Sequence, residues 1–347
     1  MSRILVLPPT GLYAEIVSPA AERKLAEVGT VDRNTSDKNL TRDEVVERIA
    51  GSDAVLTSWG APVFDQELLD RAPNLKIIAH AAGTIKGFIK PEAFDRGIAV
   101  THAASLIADS VGEWALTVTL AALRRVVDFD RMMRLGPDAE SQSGGGRPRG
   151  WGEDKRAIGH GTELYGKRVG IVAASMTGRA FIRLLAPFNC DVVVYDPYLS
   201  AERTKELGAR KVDDLGELMS SCDIVSNHAP TTPETNGMIS AAHLARLRDG
   251  ALFVNTARAA AIDYQALTVE LMNGRIRAAL DVFPKEPLTN DSPLRDLPNV
   301  VLSPHVAGGT VESRRRLGSE MIEEIARFFA GQPLRYGVSR AQLAIMA

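Results

Sequence analysis

Short apolar runs rich in Val and Ile recur along the chain at residues 4–7, 54–57, 75–79, 169–173, 192–195, 224–227, 251–255 and 300–303, and most are followed by helix-like stretches. Strands can dispense with polar alternation only when both their faces are buried, so this pattern predicts parallel sheets covered by helices on either side. The expected class is α/β, with two doubly wound parallel-sheet domains. Residues 105–135 carry one long helical pattern, in which Val111, Ala115, Val118 and Ala122 recur at helical spacing and Gly112 is the only glycine before Leu135. That helix is expected to bridge the domains. Residues 136–161, with Gly144, Gly145 and Gly146 among Pro, Ser and charged residues, form the only low-complexity stretch and read as an exposed, mobile loop.

The length of 347 residues exceeds what one core organises, which agrees with two domains. A net charge of -2 offers no broad field to gather nucleic acid or anionic lipid, so neither partner is expected. Two cysteines, Cys190 and Cys222, sit in no metal or disulfide spacing; no metal site is expected, and a reducing cytoplasm fits best. The N-terminus runs straight into a strand-like segment with no leader pattern. Every apolar run is broken by a charge or glycine before membrane-spanning length.

The segment from Val169 to Arg179 reads as strand, tight turn and helix start. Such a turn offers backbone N–H groups and a helix N-terminus to a pyrophosphate, here around Ser175, Met176, Thr177 and Gly178. The glycine fingerprint appears as Ala173-x-Ser175-x-x-Gly178, keeping only its third glycine. Ala at the first position penalises positive φ, and Ser at the second either crowds the pyrophosphate or donates a hydroxyl to it. On this segment alone, nucleotide binding and an ordinary βαβ crossover stand level. Asp196 ends the next strand, where an acid holds the ribose 2′-OH; with Pro197 and Tyr198 following and no arginine adjacent, the expected cofactor is NAD.

Three further segments place polar residues directly after apolar strands, the position where open α/β sheets build ligand sites. They end in Thr256, Ala257 and Arg258, in Asp281 and Glu286, and in His305. Hydride exchange at the carbon of a 2-oxo acid needs a proton donor for the oxygen, which His305 can be, and a carboxylate to fix the imidazole tautomer, which Glu286 can be. It also needs a guanidinium fork for the substrate carboxylate, the role of Arg258.

These segments, with Asn-Leu-Lys-Ile-Ile at 74–78, Ser-Val-Gly-Glu at 110–113, Gly-Lys-Arg-Val-Gly-Ile at 166–171 and the block at 223–235, give a chain that resembles the D-specific 2-hydroxyacid dehydrogenase family over nearly its whole length. The resemblance implies catalytic roles for Arg258, Glu286 and His305, and contact of Asp281 with the nicotinamide end of NAD. Cofactor contacts around His228, Pro230, Thr235, Thr256 and Ala257 follow from it as well. It also implies substrate loops at Ser58 and Trp59 and at Ala82 and Gly83. The coenzyme domain, Rossmann-type and covering 106–305, would be inserted into a flavodoxin-like substrate domain of 1–105 plus 306–347. A homodimer is implied, with residues 105–135 contributing. The sequence departs from the family in the lost glycines, in Ala259-Ala260-Ala261 after the arginine, in the longer stretch at 136–161 and in a turn at 81–83 poorer in glycine. His80 and His102 read as structural histidines, and Arg314-Arg315-Arg316 as a solvated helix face.

The expected function is oxidoreduction between NAD(H) and a small 2-oxo or 2-hydroxy acid. The competing expectation is a nucleotide-responsive regulatory or binding protein on the same scaffold with little or no turnover. A weaker third is an enzyme whose substrate carries another anion in place of the carboxylate.

Overall fold

The computed structural model describes residues 1–135 and 159–345. Most of the stretch expected as a loop, residues 136–158, therefore lies outside the described residues. The chain divides into two compact units, Met1–Ser110 with Gly308–Ala347, and Val111–Ala307. Strands are numbered in chain order.

In the first unit, β1 (Ser2–Val6), β2 (Gly29–Arg33), β3 (Ala54–Thr57), β4 (Ile77–His80) and β5 (Ala99–His102) pair in parallel in the order β5-β4-β3-β1-β2. A two-residue strand, β13 (Gly337–Val338), joins antiparallel at β5. β3 and β4 are buried along their whole length, which explains why each runs through three apolar residues before a polar one. One face is covered by helix Val311–Phe329, whose Leu317, Met321, Ile322 and Ile325 pack with Ile4, Val6, Leu56 and Ile77. Thr310 caps that helix by accepting from Ser313 N.

The second unit holds seven parallel strands in the order β12-β11-β10-β9-β6-β7-β8. They are β6 (Arg168–Val172), β7 (Asp191–Tyr195), β8 (Arg210–Val212), β9 (Ile224–Asn227), β10 (Leu252–Asn255), β11 (Arg277–Leu280) and β12 (Val300–Leu302). The connections run one way from β6 through β7 to β8 and the other way from β9 to β12, so β6 pairs with both β7 and β9. This is the Rossmann arrangement, and its switch point lies at the carboxyl ends of β6 and β9.

The single helix expected over residues 105–135 is two, Ala104–Leu123 and Val126–Leu135. The break falls at Arg125, whose φ of 57° is left-handed and stops the helical ladder. Helix Ala104–Leu123 is, by length and composition, apolar enough to cross a membrane, although the sequence reading found no such run. Asp109, Gly112 and Glu113 interrupt it without lowering its mean hydropathy enough. Its Ala115, Val118 and Ala122 are buried in a core with Val169, Ile171, Phe181 and Leu185, which accounts for its apolar character.

Candidate active site

In the second unit the expected residues gather at the carboxyl ends of the strands. After β6 the chain turns through Ala173, which takes φ 69°, the left-handed conformation that a glycine would adopt without strain. Ser175 then caps helix Met176–Leu185, accepting from Gly178 N. Its hydroxyl lies 2.8 Å from His228 O, to which it donates. The hydroxyl is thus engaged inside the turn. Gly178 has no room for a side chain: a Cβ there would lie 2.4 Å from Ala173 O.

His228 ties this turn to the end of β9. Its ring nitrogens lie 3.2 Å from Thr177 Oγ1 and 2.9 Å from Ser226 Oγ, and the ring packs 5.7 Å from that of Phe181. Complete burial pulls its pKa down to about 3, so the ring is neutral at pH 7. Asp196, at the end of β7, accepts from Ala174 N and Tyr198 N, both at 2.9 Å, and so stands beside the turn. Met176 is exposed at the helix start. In the adjacent loop, Thr235 donates to Pro230 O at 2.6 Å.

Beyond β10, Thr256 and Ala257 are buried, and Thr256 Oγ1 has no hydrogen-bond partner. Arg258 is extended and largely buried, donating to Ala257 O at 2.8 Å. Burial lowers its pKa, and the negative charge of Glu286 opposes that shift. Glu286 accepts from Phe283 N through Oε1 at 2.9 Å and meets His305 Nδ1 through Oε2 at 2.7 Å. His305 has φ 56°, a strained conformation for a residue with a side chain, and its side chain is 46% exposed.

The loop carrying His305 is gripped by Asp281. This carboxylate is 1% exposed and accepts from Ser303 Oγ at 2.6 Å, Val306 N at 3.0 Å and Ala307 N at 2.9 Å. His305 N in turn donates to Asp281 O at 2.8 Å. Asp281 was expected at the nicotinamide; its side-chain contacts within the chain go to the histidine loop.

A buried amide pair was missed by sequence reasoning. Asn227 and Asn255 are register partners on β9 and β10; Asn227 Nδ2 donates to Asn255 Oδ1 at 3.1 Å, and the two Oδ1 atoms accept from Ala229 N and Ala257 N. Tyr264, also missed, donates to Val282 O and meets Asn255 Nδ2. The available signal was an Asn closing each of two mainly apolar strands.

In the first unit, Ser58 follows β3 and donates to Ala81 O at 2.9 Å. Trp59 is 40% exposed, with the Arg314 guanidinium 5.3 Å from its ring centroid. Arg314 also pairs with Glu15, both side chains remaining partly exposed. Ala82 is buried after β4, and the carbonyl of Gly83 lies 3.1 Å from His102 Nδ1.

A family model for the D-isomer specific 2-hydroxyacid dehydrogenase NAD binding domain matches residues 116–307. The chain belongs to the D-isomer specific 2-hydroxyacid dehydrogenase family. Among its relatives in that family, a D-3-phosphoglycerate dehydrogenase of Mycobacterium tuberculosis is 36% identical over 328 residues, 93% of this chain and 57% of that protein. The chain therefore spans little more than half the length of that relative. A glyoxylate reductase of Thermofilum pendens is 33% identical over 306 residues, 87% of this chain and 86% of that protein. A solved structure from Thermus thermophilus shares the fold with TM-score 0.77 and 28% identity, covering 97% of this chain and 99% of that one. In this 2-hydroxyacid dehydrogenase family chain, the matched NAD-binding region contains the turn at Ala173, the Glu286–His305 pair and Arg258.

Proposed function

We propose that the chain is an NAD(H)-linked oxidoreductase interconverting a small 2-oxo acid and its D-2-hydroxy acid. The observation that carries this reading is the 2.7 Å contact between His305 Nδ1 and Glu286 Oε2, at strand ends within the region matched to an NAD-binding domain. With Nδ1 donating to the carboxylate, Nε2 is the atom left to give a proton to the substrate oxygen and take it back. Arg258, held by its own backbone contact, binds the substrate carboxylate through its planar donors. Asp281 fixes the loop that presents His305, and so acts as a positioning residue.

The second unit fits a dinucleotide: a capped helix N-terminus follows the turn at Ala173, and Thr256 Oγ1 is a buried polar atom without a partner. When bound, the nicotinamide supplies or accepts the hydride. Ser175, Met176 and Thr177 would hold the pyrophosphate through backbone N–H groups, with Gly178, whose own N–H goes to Ser175 Oγ, shaping the same turn. Asp196 would bind the ribose and repel a 2′-phosphate, favouring NAD over NADP. His228, Pro230, Thr235, Thr256 and Ala257 would line the remainder of that site. We assign residues 106–305 to the coenzyme domain, and 1–105 with 306–347 to the substrate domain, where Ser58, Trp59, Ala82 and Gly83 face the substrate. We also propose a cytoplasmic homodimer that engages neither nucleic acid nor membrane; Val126, Val127 and Met133, exposed on one short helix, support the dimer.

The test is titration with NADH and NADPH by fluorescence, then loss of reduced-nicotinamide absorbance with glyoxylate, hydroxypyruvate or phenylpyruvate. NADH binding with turnover of a 2-oxo acid is the expected result. Binding without turnover of any would favour the regulatory reading, for which the loss of two fingerprint glycines speaks. Binding of neither nucleotide would remove the proposal.

A further inference from the structure

The amino ends of β10 and β11 lie at the edge of the second unit's sheet opposite His305. There a cavity of about 160 Å³ is lined by Arg125, Arg277, His160, Thr162, Gly250 and Leu252, among others. That is room for several waters or one small anion.

The charge balance of its wall is uneven. Arg125 Nε and Arg277 Nη2 both reach the same oxygen, Asp128 Oδ2, at 2.8 and 3.3 Å. Among the described residues neither arginine has another carboxylate within ion-pair distance. Asp128 also sits in the first turn of helix Val126–Leu135, where its charge already faces the positive end of the helix. One carboxylate therefore answers two guanidiniums and a helix terminus.

Both arginines are withdrawn from water, with side chains 27% and 24% exposed. Burial, and then the like charge of Arg125, lower the pKa of Arg277, and Asp128 does not restore it. The backbone points the same way. Arg125 occupies the position after helix Ala104–Leu123 that glycine or asparagine usually takes, and it holds φ 57° there. A residue with a Cβ is strained in that conformation, and the residue that holds it here lines the cavity.

We propose that this cavity binds the phosphate group of a small ligand, clamped by the guanidinium forks of Arg125 and Arg277. The site is separate from the strand-end residues and does not depend on the dehydrogenase reading.

Calorimetric titration of the full chain, at constant ionic strength set with sodium chloride, tests it with inorganic phosphate and with glycerol 3-phosphate. The expected result is one saturable site whose affinity falls about tenfold or more in Arg277→Gln, the usual weight of a charge-assisted contact. Arg258→Gln should leave that affinity unchanged. Asp128→Asn, which removes the competing carboxylate, should tighten binding severalfold and keeps the test decisive if Arg277→Gln fails to fold. Equal affinities for the two probes would mean that the site recognises a phosphate group carried by a metabolite; rejection of the ester would mean free phosphate. Absence of saturable binding to either probe would overturn the proposal. So would binding lost in Arg258→Gln, or binding that Asp128→Asn does not tighten.

Discussion

Replacing Ala173 with glycine should leave the protein as stable as before or slightly more so, whereas the same change one residue on should weaken it. Ala173 holds φ 69°, where an L-residue carries a penalty of about 1–2 kcal/mol that glycine escapes. Against this stand about 0.5–1 kcal/mol for the greater freedom of glycine in the unfolded chain. Loss of a half-buried methyl adds about 0.4 kcal/mol, taking half of the roughly 0.8 kcal/mol of a fully buried one. These offset to a change between about -0.4 and +1 kcal/mol, centred slightly on the stabilising side. Ala174 is 2% exposed and has no left-handed φ, so Ala174→Gly loses the methyl and the entropy without relief, about 1–2 kcal/mol in all. Urea unfolding of the two variants at 25 °C, with NADH titration alongside, reads the difference directly. If Ala173→Gly costs as much as Ala174→Gly, the turn is not left-handed, and the account of how it replaces a glycine fails.

Three other outcomes are expected. His305→Gln should lower kcat by about 10²–10⁴, the usual weight of a general acid–base, while NADH affinity stays within about threefold; an equal loss of NADH binding would make His305 structural. In Asp281→Asn the amide N–H₂ replaces one oxygen and, at either position, faces a backbone N–H, of Val306 or of Ala307, so denaturant unfolding should show a loss of about 1–3 kcal/mol. In that variant kcat should fall further than NADH affinity, and an unaltered kcat would refute its positioning role. Burial depresses the pKa of His80 to about 4 and of His228 to about 3, while the unfolded chain titrates near 6.5. Between those values the unfolded state holds more protons, so each histidine should cost stability as pH falls from 7 to 5, on the order of 2 kcal/mol apiece. His80→Leu should flatten the fall measured for the wild type, and a slope unchanged by it would exclude His80 as a source.

Where a strand is buried on both faces, its sequence opens on consecutive apolar residues without polar alternation, which is why β3, β4, β9 and β10 were readable within a residue or two. Three of the strands left unnamed, β2, β8 and β13, lie at sheet edges, while β5, also unnamed, is short and ends in the polar Thr101 and His102. β2 is Gly-Thr-Val-Asp-Arg and only its first residue is buried; β8 buries only Val212, and β13 has two residues. An edge strand needs one paired side and tolerates polar residues, so its run carries no such signal. The helix break was hidden for a related reason: nothing in Arg124-Arg125 marks a stop when the residue turning left-handed is an arginine. At the candidate site the ordered triple of Arg258, Glu286 and His305 was legible because each follows an apolar strand. The grip of Asp281 on the histidine loop was not, since it joins residues more than twenty positions apart.

The turn after β6 shows why a degraded fingerprint need not mean a lost site. Its three glycines answer three separate geometric demands: a left-handed turn, a close approach at the helix N-terminus, and tight packing of helix on strand. Ala173 meets the first at an energetic cost, and Gly178 keeps the third unchanged, with no space for a Cβ. The second position is settled by where the Ser175 hydroxyl goes. It accepts from Gly178 N and donates to His228 O, so its hydrogen-bonding capacity is used inward, and His228 is anchored in turn by Thr177 and Ser226. A serine engaged in this way needs no phosphate to satisfy it, so the pyrophosphate reading has to rest on the backbone N–H groups of the capped helix. Those groups belong to the peptide chain whatever the side chains are, which is why counting glycines left nucleotide binding undecided and the backbone conformation favours it.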